Sequence, residues 1–145
     1  MIIKEPYEYQ IGADVFQGVI CYDNDIQMPL PGVLVSHQYT GCSKLEERKC
    51  EFLAKTGYFA FAVDLYGKGI RGKTPEESLD LMNQLSEDRK LLAKRINYSL
   101  TLLKNHQSVD IKKIAAIGYC FGGRCVIDLA RSGADLNLVV SFHGI

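Results

Sequence analysis

The chain has no tryptophan, only three histidines and four prolines, and no surplus of charge of either sign. Its 17 basic residues offset its 17 acidic ones, for a formal net charge of zero. Binding to a phosphate backbone or an anionic bilayer surface favours a basic excess, so neither nucleic acid nor membrane is an expected partner. No apolar run approaches the roughly 18 residues that a membrane-spanning helix needs. The five cysteines, Cys21, Cys42, Cys50, Cys120 and Cys125, are odd in number and include no pair at C-x-x-C spacing. With so few histidines beside them, a zinc site is not expected, and no cofactor is implied. Near the N-terminus, Lys4, Glu5 and Pro6 interrupt the apolar core that a secretory signal requires. An odd cysteine count without such a signal argues against a disulfide framework and for a reduced, cytoplasmic setting.

What is present is an alternation of strand and helix signals along 145 residues, one domain by length. Tyr7 to Ile11 and Asp14 to Tyr22 read as two strands around Gly12, an antiparallel hairpin. Gly32 to Ser36, Tyr58 to Asp64, Ile114 to Gly118 and Leu136 to Ser141 are short apolar runs of the kind buried in parallel sheets. Between them lie helical segments. Ser43 and Glu46 form a capping box, and Gly57 marks the end of that helix. Thr74 and Pro75 open a long helical stretch to about Asn105, with Leu85, Leu92, Ile96, Leu100 and Leu103 on one face. Phe121 to Arg131 is the last helix, closed by Gly133. This order predicts a mostly parallel sheet with helices on both faces and chemistry at the carboxyl ends of the strands.

Gly118-Tyr119-Cys120-Phe121-Gly122-Gly123 follows a strand and opens a helix. That is the context of a G-x-nucleophile-x-G elbow. Glycines two before and two after the nucleophile let strand and helix approach closely. The nucleophile itself sits in a strained turn above the sheet. The helix N-terminus beneath it stabilises developing negative charge, and the Phe121 N–H is placed to donate to an oxyanion. Two blander readings stay open. One is a phosphate loop, although G-x-G-x-x-G needs glycine where Cys120 stands. The other is a buried structural cysteine at a tight turn.

The stretch IAAIGYCFGGRCVIDLARSGADLNLVVSFHG resembles the dienelactone hydrolase family. PGVLVSHQYTG at 31–41 and GYFAFAVDLYGKG at 57–69 agree with it in the same order. The resemblance implies a three-layer α/β-hydrolase sandwich hydrolysing small esters or lactones. Cys120 would be the nucleophile. Phe121 and the Gln38–Tyr39 region, with Tyr39 as the second backbone donor, would form the oxyanion hole. Lys68 falls near a substrate-binding arginine of the archetype, and His37 ends the third strand at the same edge of the sheet.

Two departures qualify this. Gln38 stands where the best-known members have Glu, and an amide cannot take the thiol's proton. The family order is nucleophile, acid, histidine, yet the residues after Cys120 hold only Asp128, Asp135 and His143. The expectation is therefore a single but incomplete domain over residues 1–145, lacking the last strands of the full fold. A Cys120 dyad with His37 or His143 is geometrically conceivable. Strand 136–141, apolar and without Pro or Lys, is expected to be an edge open to pairing with a second copy. Two other readings remain beside the hydrolase: a catalytically silent scaffold assembled through that strand, and a thiol-reactive or redox protein using Cys120 alone.

Overall fold

A computed structural model describes residues 1–144. Among the described residues, six strands form one sheet in the order β1-β2-β4-β3-β5-β6. The hairpin is β1 (Ile2–Ile11) and β2 (Asp14–Asp23), joined through Gly12, whose φ of +62° favours glycine. β2 pairs antiparallel with β4 (Phe59–Ala62). The remaining pairs, β4 with β3 (Leu30–Ser36), β3 with β5 (Val109–Tyr119) and β5 with β6 (Leu138–Phe142), are parallel.

The alternation along each buried strand explains the three layers. Val33 and Val35 on β3, Ala60 and Ala62 on β4 and Cys21 on β2 point to one face. There they meet Cys50 and Ala54 of α1 (Lys44–Lys55). These side chains are small, so α1 lies close to the sheet. Their neighbours Leu34, Phe59, Phe61 and Ile20 point to the other face, into a larger core. That core is closed by α3 (Arg89–Asn105) and α4 (Phe121–Arg131), with α2 (Pro75–Glu87) against α3. Burying a leucine or phenylalanine there contributes about 1.5–3 kcal/mol each. No helix among the described residues is long and apolar enough to cross a membrane.

Several boundaries differ from the sequence expectation: β1 starts at Ile2 rather than Tyr7, β3 starts at Leu30 rather than Gly32, and β4 is confined to Phe59–Ala62. The stretch 74–105 is two helices. Asp88 ends α2, and its side chain accepts from Leu91 N–H at 3.0 Å to cap α3. The expected stripe survives the break: Leu85 lies in α2 and the other four residues in α3, all 5% exposed or less. β5 begins at Val109, because a register shift after Pro31/Asp110 loops out residues 111–113 before pairing resumes at Gly32/Ile114. The last strand is shifted towards Phe142, because Asn137 brackets Ile114 with both its backbone N–H and its side-chain oxygen, each at 2.8 Å.

Candidate active site

The elbow is built by close approaches at three glycines, two against backbone and one against a side chain. A Cβ on Gly118 would lie 2.0 Å from Gly122 O, so β5 and the first turn of α4 are in contact. A Cβ on Gly122 would lie 2.3 Å from Ser36 O and 2.7 Å from His37 O, so the same turn rests on the end of β3. A Cβ on Gly123 would meet Ser141 Oγ at 2.4 Å, against β6. The first turn of α4 thus sits among the carboxyl ends of three strands. Cys120, between strand and helix, takes φ 55° and ψ −121°. A non-glycine residue there carries strain of about 1–3 kcal/mol. The surrounding contacts hold it: Cys120 N–H donates to Phe142 O at 2.9 Å, and Gly123 N–H donates to Cys120 O at 2.9 Å.

Cys120 is partly exposed, whereas the other four cysteines are buried. Burial pushes the Cys42 and Cys125 thiols up to about 12. Cys125 lies in the larger core. The Phe121 N–H, first in α4, has no acceptor among the described residues, and neither has Tyr39 N–H. Tyr39 lies two residues beyond His37, whose carbonyl meets the Gly122 backbone.

Gln38 is partly exposed. Its backbone N–H reaches Glu46 Oε1 at 3.4 Å, and its carbonyl accepts from Gly41 N–H at 3.1 Å. Glu46 therefore does more than cap α1. It is 2% exposed, and its other oxygen accepts from Ser43 N–H at 2.8 Å. The capping box was legible in sequence, but the reach to Gln38 was not.

His37 is fully buried and both ring nitrogens are engaged. Nε2 accepts from Leu65 N–H at 3.1 Å, and Nδ1 lies 2.6 Å from Gln38 O. It therefore neither faces a substrate nor serves as a base for Cys120. His143, after β6, is exposed with φ 40°.

Lys68 stands apart from the elbow. The loop after β4 folds towards the hairpin, where Lys68 N–H donates to Val15 O at 2.8 Å and Nζ pairs with Glu8 at 2.6 Å. Glu8 is on β1, four strand spacings from β5, or about 19 Å. The cation this loop brings towards the 40–42 segment is Arg71. It donates to Cys42 O, to Ile70 O at 2.6 Å and to Gly67 O at 3.2 Å, and it pairs with Asp64 at 3.4 Å. Asp64, wholly buried, also accepts from Tyr66 and Gly67 N–H at 3.0 and 3.1 Å. The Arg71 bonds, all from Nε and Nη1, brace the loop.

The profile of the Dienelactone hydrolase family matches residues 16–145. The chain belongs to the dienelactone hydrolase family. Among curated relatives, Protein usf of Aquifex pyrophilus is 32% identical over 120 residues, covering 79% of this chain and 52% of that protein. A Yersinia pestis protein named as a candidate carboxymethylenebutenolidase is 30% identical over 119 residues, covering 80% and 44%. The chain thus spans about half the length of the curated relatives it matches. Among solved structures, m3DLH superposes with a TM-score of 0.94 at 33% identity, over 99% of this chain and 60% of that one. A dienelactone hydrolase-like promiscuous phosphotriesterase from metagenomic libraries gives 0.93 at 31%, over 99% and 59%. The sandwich architecture inferred from sequence is therefore that of the family.

Two outcomes are expected from this geometry. Iodoacetamide applied to the native protein should modify Cys120 well before the four buried cysteines, and all five after denaturation. Peptide mass spectrometry reads this, and early labelling of another cysteine would contradict the burial described. Second, burial holds the His37 ring below the ordinary histidine pKa, against the opposing pull of Gln38 O, Asp64 and Glu46. The unfolded state, with a pKa of about 6.5, then takes up the proton first as pH falls. The stability owed to the neutral ring is complete above that value. It is lost on acidification, at up to about 1.4 kcal/mol per pH unit. Burial shifts His106 in the same direction. Melting temperature should fall between pH 7 and pH 5, less steeply in His37→Asn than in the wild type.

Proposed function

We propose that this chain carries the nucleophile and oxyanion elements of a hydrolase of small esters or lactones. The observation that supports this reading is the backbone of Cys120, strained at positive φ between close-packed glycines, followed by a Phe121 N–H that has no acceptor among the described residues. A buried structural cysteine would need neither the strain nor the exposure. Strain concentrates where geometry serves a reacting atom.

The step is acyl transfer. Cys120 Sγ adds to the ester carbonyl carbon, and the oxygen takes up negative charge between the N–H donors of Phe121 and Tyr39. The carbon–oxygen bond to the alkoxy group then breaks, and the alcohol leaves with the proton the thiol gave up. Water hydrolyses the thioester, giving the acid and restoring the thiol. In a lactone the leaving hydroxyl stays on the same molecule. Gln38 cannot take the thiol proton, and both His37 nitrogens are engaged, so neither residue is the base in this scheme. The names of the relatives, among them a carboxymethylenebutenolidase and a lactonase, favour a small cyclic or activated ester over a large one. A cytoplasmic setting fits five unpaired cysteines.

A second reading, assembly of two copies through β6, is favoured by Leu138 and Phe142. They are 57% and 41% exposed on a strand whose described pairing is with β5 alone.

Cys120→Ala should abolish both thioester formation with p-nitrophenyl acetate, seen as a mass increase on the protein, and any turnover. Retention of either in the variant would defeat the nucleophile assignment. Sedimentation velocity on the same two samples should give equal sedimentation coefficients. A dimer disrupted by Leu138→Lys supports strand assembly, and a monomer at high concentration removes it.

A further inference from the structure

The Leu65 N–H that points at His37 Nε2 is a donor and nothing else. Nε2 must therefore be the unprotonated nitrogen, which puts the ring hydrogen on Nδ1. The partner of Nδ1 at 2.6 Å is Gln38 O, an acceptor and nothing else. Two neighbours of fixed polarity thus set one tautomer. That carbonyl also accepts from Gly41 N–H at 3.1 Å, so it is held from two directions.

The carbonyl of Gln38 and the N–H of Tyr39 belong to one planar trans peptide unit and point oppositely. Holding the carbonyl on the buried ring turns the Tyr39 N–H away from the interior. That N–H has no acceptor among the described residues, and the peptide follows directly on His37, whose carbonyl meets the Gly122 backbone. The ring itself is fixed by Tyr66, 4.7 Å away at 62°, and by Phe121, 6.3 Å away.

We propose that His37 is the positioning residue of the oxyanion hole: through its Nδ1–H bond to Gln38 O it orients the 38–39 peptide so that the Tyr39 N–H faces the elbow. It touches neither substrate nor Cys120. Through Nε2 it also ties this peptide to Leu65, the start of the loop braced by Asp64 and Arg71. The proposal rests on the reading of Cys120 as an acyl-accepting nucleophile.

The test compares two reactions at the same sulfur. Acylation of Cys120 by p-nitrophenyl acetate develops an oxyanion, whereas alkylation by iodoacetamide does not. The ratio of the two rate constants, normalised to that of glutathione, measures the hole alone. Asn at 37 keeps an amide donor at the Nδ1 position, whereas Gln carries its amide out to the Nε2 position and leaves the Nδ1 position without a donor. The wild-type ratio should exceed that of glutathione. His37→Asn should retain it within about threefold, and His37→Gln should lower it towards the glutathione value, by as much as about 10²-fold for a lost donor. Alkylation alone should be unchanged in both variants. A raised wild-type ratio that His37→Gln leaves intact overturns the positioning role while the nucleophile reading stands. Equal losses of acylation and alkylation overturn it too, because the effect is then not on the hole. A wild-type ratio no better than glutathione defeats the reading and the inference together. Should His37→Gln fail to fold, nitrogen-15 spectra of the wild-type ring decide: the neutral Nδ1–H tautomer is expected, and an Nε2–H tautomer overturns the proposal.

Discussion

The upper edge of this sheet depends on one close approach, the backbone of Gly122 against the carbonyls of Ser36 and His37. No side chain fits in that gap, so the first turn of α4 can settle into the ends of β3, β5 and β6. With that contact come the strained conformation of Cys120, the open N–H of Phe121 and the closeness of the end of β3 to α4. The rest of the molecule supports it. Small residues under α1 and large ones under α3 and α4 hold the strands at the positions the contact requires.

Polar groups buried near this edge are costly unless they are paired. Three of them, His37, Glu46 and Asp64, lie in the site's surroundings, each at 2% exposure or less. Each satisfies backbone N–H groups at a place where a strand has ended and a loop has begun. Loops that leave a sheet carry donors with no ladder to join, and these side chains supply the missing acceptors. They give the loops after β3 and β4 a defined shape without regular secondary structure.

The elbow was readable in the sequence because its requirements are local: glycines at fixed offsets, a strand before and a helix after. The same holds for the capping box of α1 and the apolar stripe from Leu85 to Leu103. What was not readable depends on partners far along the chain. His37 pairs with Leu65, 28 positions on, and nothing in the string SHQYT announces a buried ring. Lys68 resembled a substrate contact by position, but the loop's direction is decided by Val15 on the hairpin. Asp88 reads equally well as an exposed mid-helix residue and as a cap. Only the geometry of the turn chooses between them.

The positive φ of Cys120 also narrows what chemistry this position can acquire by mutation. A backbone in that region tolerates side chains with a single heavy atom on the β-carbon far better than branched ones. Serine and aspartate fit the turn as cysteine does; threonine, branched at the β-carbon, does not. The main chain thus restricts the set of available nucleophiles before reactivity is ever selected, and drift at this codon runs along unbranched side chains.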